Sequence, residues 1–195
     1  MSLLGSLPNI ITLIRLLAVP LMVWLVLADE MAIAFWVFIA AGVSDGVDGY
    51  LAKRLNAITE LGTYLDPLAD KVMLAAIFVT LGYTGGVAVW LVILIVFRDI
   101  MIVGGVLLGH TLDLKMRVAP LYISKVNTVV QIVLAAFLLA KPGIGLEDYG
   151  LTGVLVYIVA ATTVVSSIFY LVRLLVSFDE SVGRDIGGDA GEEGV

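Results

Sequence analysis

Six apolar stretches, near 8–28, 31–53, 64–83, 86–109, 118–140 and 151–175, follow one another with only short links between them. Each approaches the ~20 residues that a helix needs to cross a bilayer. A water-soluble core has no use for so much apolar sequence. The chain is 61% hydrophobic, where soluble domains hold about 45–50%, and its mean hydropathy is +1.11. The expected fold is an all-α integral membrane protein, a six-transmembrane-helix bundle forming one domain over residues 1–177. No separate soluble domain fits between the spans.

Charge has to be located before it means anything. The net charge is −6. From Phe178 onward six acids face one arginine, Arg184, which accounts for −5 and leaves the rest near −1. That Gly-rich acidic segment, 178–195, reads as a tail without order. It would repel nucleic acid, so no nucleic-acid partner is expected. No cysteine is present and His110 is the single histidine, which excludes thiolate chemistry and multi-histidine metal sites.

Lysine and arginine orient the spans. With the N-terminus in the cytoplasm, the inner loops and tail carry Lys53, Arg54, Lys115, Arg117, Arg173 and Arg184, and the outer loops carry Lys141 alone. Both termini are then cytoplasmic. Trp24, Trp36, Trp90 and Tyr149 fall where outer-interface anchors belong. The first span lacks a basic leader and a small-residue cleavage site, so it reads as a retained span. Without a targeting presequence, a bacterial inner membrane is the expected location.

Against this background, the segment SDGVDGYLAKRLNAITELGTYLDPLADK is anomalous. It places Asp45 and Asp48 near the inner end of the second span, and Asp66 and Asp70 near the inner start of the third. Charges in lipid cost several kcal/mol and face an interior site as a rule. Short carboxylates snorkel poorly, so a polar chamber open to the cytoplasm is expected. Asp45 and Asp48 are i and i+3, and Gly62, Asp66 and Asp70 are i, i+4 and i+8, so each set shares a helix face. The short link makes the two spans expected antiparallel neighbours, with the carboxylates converging across one seam. Pro67 points to an irregular start of the third span.

Four converging carboxylates need cations. Oxygen-only ligands suit hard ions such as Mg²⁺ or Mn²⁺. Two such ions can clamp the entering and leaving oxygens of a phosphoryl transfer, and one carboxylate can serve as base for a hydroxyl. Lys53, Arg54, Arg15 and Lys125 are cations available for phosphate. Ion or proton transport also uses buried carboxylates. The clustering of these aspartates at one end, with no evident inverted repeat, favours phosphate chemistry. A purely structural membrane protein ranks third.

The pattern resembles the signature of the CDP-alcohol phosphatidyltransferases, D-x2-D-G-x2-A-R-x8-G-x3-D-x3-D. It reads here Asp45, Asp48, Gly49, Ala52, Lys53, Gly62, Asp66 and Asp70, with every spacing kept and seven of eight fixed positions matched. Lys53 stands where the family usually has arginine. Over roughly residues 5–176 the likeness extends to LPNIITLIRLLAVP, FRDIMIVGGVLL and YISKVNTVVQIVL. The last two are similar to CDP-diacylglycerol-dependent cardiolipin synthases and to phosphatidylglycerophosphate synthases.

The resemblance implies CDP-diacylglycerol as donor, CMP as leaving group and a two-metal site of Mg²⁺ or Mn²⁺. Asp45, Asp48 and Asp66 would hold it, with Asp70 near it and acting as base. Asn9 and Thr12 would face the nucleotide, Gly49, Ala52 and Gly62 would make room for it, and Lys53 would contact phosphate. Arg15, Arg98, Lys125 and Asn127 are the expected acceptor residues. Asn127, where phosphatidylglycerophosphate synthases tend to have a second lysine, leans toward phosphatidylglycerol over glycerol 3-phosphate. A homodimer is the implied assembly, embedded among membrane lipids.

Overall fold

The computed structural model describes the backbone of residues 3–55, 60–111 and 122–188, and side chains over 13–44, 69–105 and 122–176. It is all-helical: α1 (Leu3–Leu27), α2 (Met31–Leu55), α3 (Glu60–Tyr83), α4 (Val89–Thr111), α5 (Tyr122–Ile144) and α6 (Leu151–Gly188). All six expected helices are present. α3 starts at Glu60 and passes through Pro67 as helix, where an irregular start is expected from sequence. α5 starts at Tyr122 rather than near 118. α6 runs on to Gly188, so the first part of the expected tail continues that helix. Residues 189–195 lie outside the described ones.

Local chemistry sets the turns. α1 and α3 both end in a left-handed residue that redirects the chain. At α3 the residue is Gly85, with φ 80°. Gly86 N donates to Leu81 O at 2.7 Å and Gly85 N to Gly82 O at 3.4 Å, the paired bonds of a Schellman end. α1 ends the same way at Asp29, with φ 61°, Glu30 N reaching Leu25 O and Asp29 N reaching Val26 O. Aspartate tolerates this conformation better than most residues. Ahead of α6, Asp148 Oδ1 accepts from Thr152 N in the helix's first turn at 2.9 Å, satisfying one of its free N–H groups.

The helices pack in a closed ring, in the order α1, α3, α4, α6, α5, α2 and back to α1, and α3 touches α5 across it. One expectation is corrected here. Among the described residues α2 and α3 do not pack on each other. α1 lies between them, burying Met22, Leu25 and Val26. The described parts of α2 and α3 wall a common cavity, and the expected seam at Asp45, Asp48 and Asp66 lies outside the residues whose side chains are described.

The bundle has a dry half and a polar half. Met22, Leu25, Phe38, Ile77, Phe78, Leu81, Leu91, Leu138 and Leu139 form one apolar cluster toward the ends of α1, α3 and α5 and the starts of α2 and α4. Buried polar side chains gather at the other end: Arg15, Arg98, Asn127, Gln131, Thr163 and Ser166. Outside, apolar side chains face outward on every helix, including Leu17, Ile33, Val79, Ile93, Val129 and Phe169. α5 and the Leu151–Val176 part of α6 are each long and apolar enough to cross a membrane. An outer surface as apolar as the core belongs in lipid. Trp24, Trp36, Trp90, Tyr83 and Tyr149 are exposed and sit at the dry end, as an aromatic belt does.

Candidate active site

Two cavities meet at Asp70. The larger, about 320 Å³, is walled by Arg15 of α1, Phe38 to Val43 of α2, Asp70, Met73 and Leu74 of α3, and Thr128, Ile132 and Ala136 of α5. Its lining is mostly apolar. The smaller, about 180 Å³, lies between α3, α4 and α5, and all but one of its lining residues are polar or charged: Asp70, Lys71, Arg98, Asp99, Thr128 and Gln131, with Leu74. Asp70, Leu74 and Thr128 belong to both.

Asp70 is held from one side. Arg15 Nη1 donates to Asp70 Oδ1 at 2.6 Å. The arginine side chain is 4% exposed and the carboxylate 40%. The guanidinium therefore supports Asp70 from within the protein, while the carboxylate reaches the cavity. A charge-assisted contact this short fixes direction as well as charge.

Behind it stands a second charged network. Arg98 is 1% exposed. It donates to Asp99 Oδ1 at 2.7 Å, to Ser166 Oγ at 3.1 Å and to Ser124 Oγ. It thereby ties α4 to α5 and α6. Lys71 Nζ lies 3.9 Å from Asp99 Oδ1. A buried arginine needs such partners, because unpaired burial of its charge is prohibitive.

Of the residues singled out from the sequence, Arg15 and Asp70 line the larger cavity, and Asp70 and Arg98 the smaller. The structure separates the other two acceptor candidates from them. Asn127 is completely buried and faces α6, its Oδ1 accepting from the hydroxyls of Thr162 at 2.8 Å and Thr163 at 2.9 Å. It lines neither cavity. Lys125 is exposed and also lines neither. Because α5 starts at Tyr122, Lys125 lies in its first turn, nearer the helix end than Thr128. Lys71, Thr128 and Gln131 also line the smaller cavity and carried no site role in the sequence reading, while the Arg98–Asp99 pair was open to either a salt bridge or a pocket role. The adjacency of Lys71 to Asp70 was the available signal.

Asp45, Asp48, Gly49, Ala52 and Lys53 lie on the helical backbone of α2, Gly62 and Asp66 on that of α3, and Asn9 and Thr12 on that of α1. Their side chains lie outside the described residues. The signature begins on α2 two residues beyond Val43, a wall of the larger cavity, and ends on α3 at Asp70. Among the described residues no three acidic or histidine side chains cluster as a metal site. The donor chemistry suits a hard divalent ion: Asp70 presents a half-exposed carboxylate, and the other candidate ligands are also aspartates.

A membrane-type helical bundle with a carboxylate at the junction of an apolar and a polar cavity defines a site for a substrate with both characters. The profile of the CDP-alcohol phosphatidyltransferase family matches residues 5–165, and the chain belongs to this family. It is 32% identical over 186 residues to a rice chloroplastic protein named CDP-diacylglycerol--glycerol-3-phosphate 3-phosphatidyltransferase 1, covering 86% of this chain and 56% of the relative. Human cardiolipin synthase (CMP-forming) is 32% identical over 181 residues, covering 85% of this chain and 60% of the relative. A Salmonella typhimurium CDP-diacylglycerol--glycerol-3-phosphate 3-phosphatidyltransferase is 33% identical over 175 residues, covering 85% and 93%. The chain thus spans little more than half the length of the plant and human relatives.

Proposed function

We propose that the chain transfers the phosphatidyl group of CDP-diacylglycerol to a glycerol-type hydroxyl and releases CMP, with phosphatidylglycerol as acceptor and cardiolipin as product. The observation that carries this is Asp70: the last aspartate of the family signature stands on the shared wall of an apolar and a polar cavity. Diacyl substrates need the first and their phosphates the second.

In this reading the acceptor hydroxyl attacks the phosphorus that bears the diacylglycerol. Its proton passes to Asp70, the new O–P bond forms, and the pyrophosphate bridge breaks to give CMP. Arg15 orients the Asp70 carboxylate through the 2.6 Å contact. Asp45, Asp48 and Asp66, with Asp70, would hold Mg²⁺ or Mn²⁺. Those ions supply charge neutralisation at the pyrophosphate. Asn9, Thr12, Gly49, Ala52, Lys53 and Gly62 remain the proposed nucleotide contacts, and Arg98 an acceptor residue beside the polar cavity. Lys125 and Asn127 would act on the acceptor only indirectly.

The surrounding assignments follow from the same reading. All six helices span, both termini and the site face the cytoplasm, and a bacterial inner membrane houses the protein. The lysine and arginine distribution and the Salmonella relative support this. Homodimeric assembly comes with the family and is read from the mass of the solubilised particle.

Relatives carry both acceptor names, so glycerol 3-phosphate is the second reading. The test is CMP release by purified protein with CDP-diacylglycerol and Mg²⁺, each acceptor in parallel. The expected result is metal-dependent CMP with phosphatidylglycerol, lost in Asp70→Asn. CMP with glycerol 3-phosphate alone selects the second reading. No CMP with either acceptor from folded protein rejects both.

A further inference from the structure

Two donors on the wall of the smaller cavity make no hydrogen bond among the described residues. Lys71 Nζ lies 3.9 Å from Asp99, beyond hydrogen-bonding reach. Among the described residues its ammonium makes no hydrogen bond, and its side chain is 34% exposed. Gln131 is 2% exposed, lines the same cavity, and its Nε2 has no hydrogen-bond partner. One oxygen of each nearby carboxylate is already engaged, and the Thr128 proton is spent. Asp99 Oδ1 takes Arg98, Asp70 Oδ1 takes Arg15, and the Thr128 hydroxyl donates back to Ser124 O. Lys71 and Arg98 against Asp99 and Asp70 balance the charge of the lining, but the Lys71 ammonium is the charge that no hydrogen bond neutralises locally.

A partly open space of about 180 Å³ is too large to be a single-water site. Its unspent donors call for a ligand rich in acceptors and negative in charge, which describes a phosphate oxyanion. Position says which phosphate. The cavity is lined by Asp70 itself, the proposed base, which the hydroxyl compound has to reach.

We infer that Lys71, with Gln131 on the same wall, binds the phosphate of the alcohol acceptor. This rests on the transferase reading above. Both candidate acceptors carry the required group, as a monoester in glycerol 3-phosphate and as a diester in phosphatidylglycerol. Arg98 is committed to Asp99, Ser124 and Ser166 and shapes the wall. Arg98 has only its Nε left unpartnered, whereas the whole Lys71 ammonium is left to give.

Full-length protein carrying Lys71→Gln, Lys71→Arg or Gln131→Leu tests this by steady-state CMP release, varying donor and acceptor separately with each acceptor. Lys71→Gln is expected to raise the acceptor KM about ten- to hundredfold, with the CDP-diacylglycerol KM unchanged. Lys71→Arg should restore most of it, and Gln131→Leu should move the same constant by less. Equal movement of both KM values, or a fall in kcat alone, overturns the assignment. A second reading needs no turnover: protection against thermal unfolding by glycerol 3-phosphate or short-chain phosphatidylglycerol. If wild type releases no CMP with any acceptor, the transferase reading fails by itself. The Lys71 assignment is then decided by whether either phosphate protects wild type and not Lys71→Gln; no protection of wild type overturns it.

Discussion

Arg15 and Asp70, fifty-five positions apart in sequence, meet at 2.6 Å and join α1 to α3 at the mouth of both cavities. One partner is buried and the other half-exposed, so the pair is asymmetric. Losing the guanidinium removes support from a carboxylate that water can still reach. Losing the carboxylate removes one partner from a guanidinium inside the protein.

Arg15→Met should therefore cost stability only modestly, about 1–2 kcal/mol, because solvent screens the exposed partner. Its activity should fall about a hundredfold or more, since a misplaced base loses far more than a weakened one. Comparing CMP release with thermal unfolding in detergent separates the two. Parallel losses would place Arg15 in structure alone.

Arg98 should behave in the opposite way. It is wholly enclosed and bonds to Asp99, Ser124 and Ser166. Arg98→Met strands the partly buried Asp99, and the expected penalty is about 3–5 kcal/mol. Arg98→Lys should not rescue it, because one ammonium cannot reproduce a planar fork serving three helices. Thermal unfolding of the two variants checks this.

Two glycines offer a paired test of packing. A Cβ at Gly143 would lie 2.7 Å from Met31 O and 2.9 Å from Ala32 Cα, both backbone atoms that cannot rotate away. Gly143→Ala should push α5 from α2 and cost about 1–3 kcal/mol. Gly104 has nothing within 4 Å of such a Cβ. Gly104→Ala should gain about 0.5–1 kcal/mol from helix propensity. A higher melting temperature in the first variant, or a lower one in the second, would contradict the close approach seen here.

The loop between α5 and α6 carries a pH dependence of known sign. The Lys141 hydrogen bond, and then the Thr152 backbone N–H, lower the Asp148 carboxyl from 3.8 to about 2. A depressed carboxyl stabilises the folded state above its unfolded value and loses that contribution as pH falls toward 2. Asp148→Asn should flatten the fall in stability between about pH 4 and pH 2. An unchanged acid limb in unfolding curves would show these contacts to be idle.

Much of this was legible in advance because hydropathy and spacing are local. Six apolar stretches became six helices, and the aspartate spacing pointed to α2 and α3 as walls of one site. What escaped reading was tertiary. α1 lies between α2 and α3, which no link length reveals. Asn127 turned out to face Thr162 and Thr163, because two positions along a helix is a rotation of about 200°. Lys71 was passed over because its neighbour Asp70 looked like its natural context, whereas its nearest charge is Asp99 on α4. The end of α6 was misjudged for a physical reason: hydropathy reports where lipid stops, not where the helix does.

That last helix has a mechanical consequence. At about 1.5 Å per residue, the 38 residues of α6 extend about 57 Å, while a bilayer's hydrocarbon is about 30 Å thick. Its apolar part ends at Val176. The remaining turns continue in line for about 18 Å, because a helix cannot double back. The backbone bearing Asp179, Glu180 and Asp185 is therefore carried on a stiff post beyond the apolar span, at a set height rather than at the end of a loose thread.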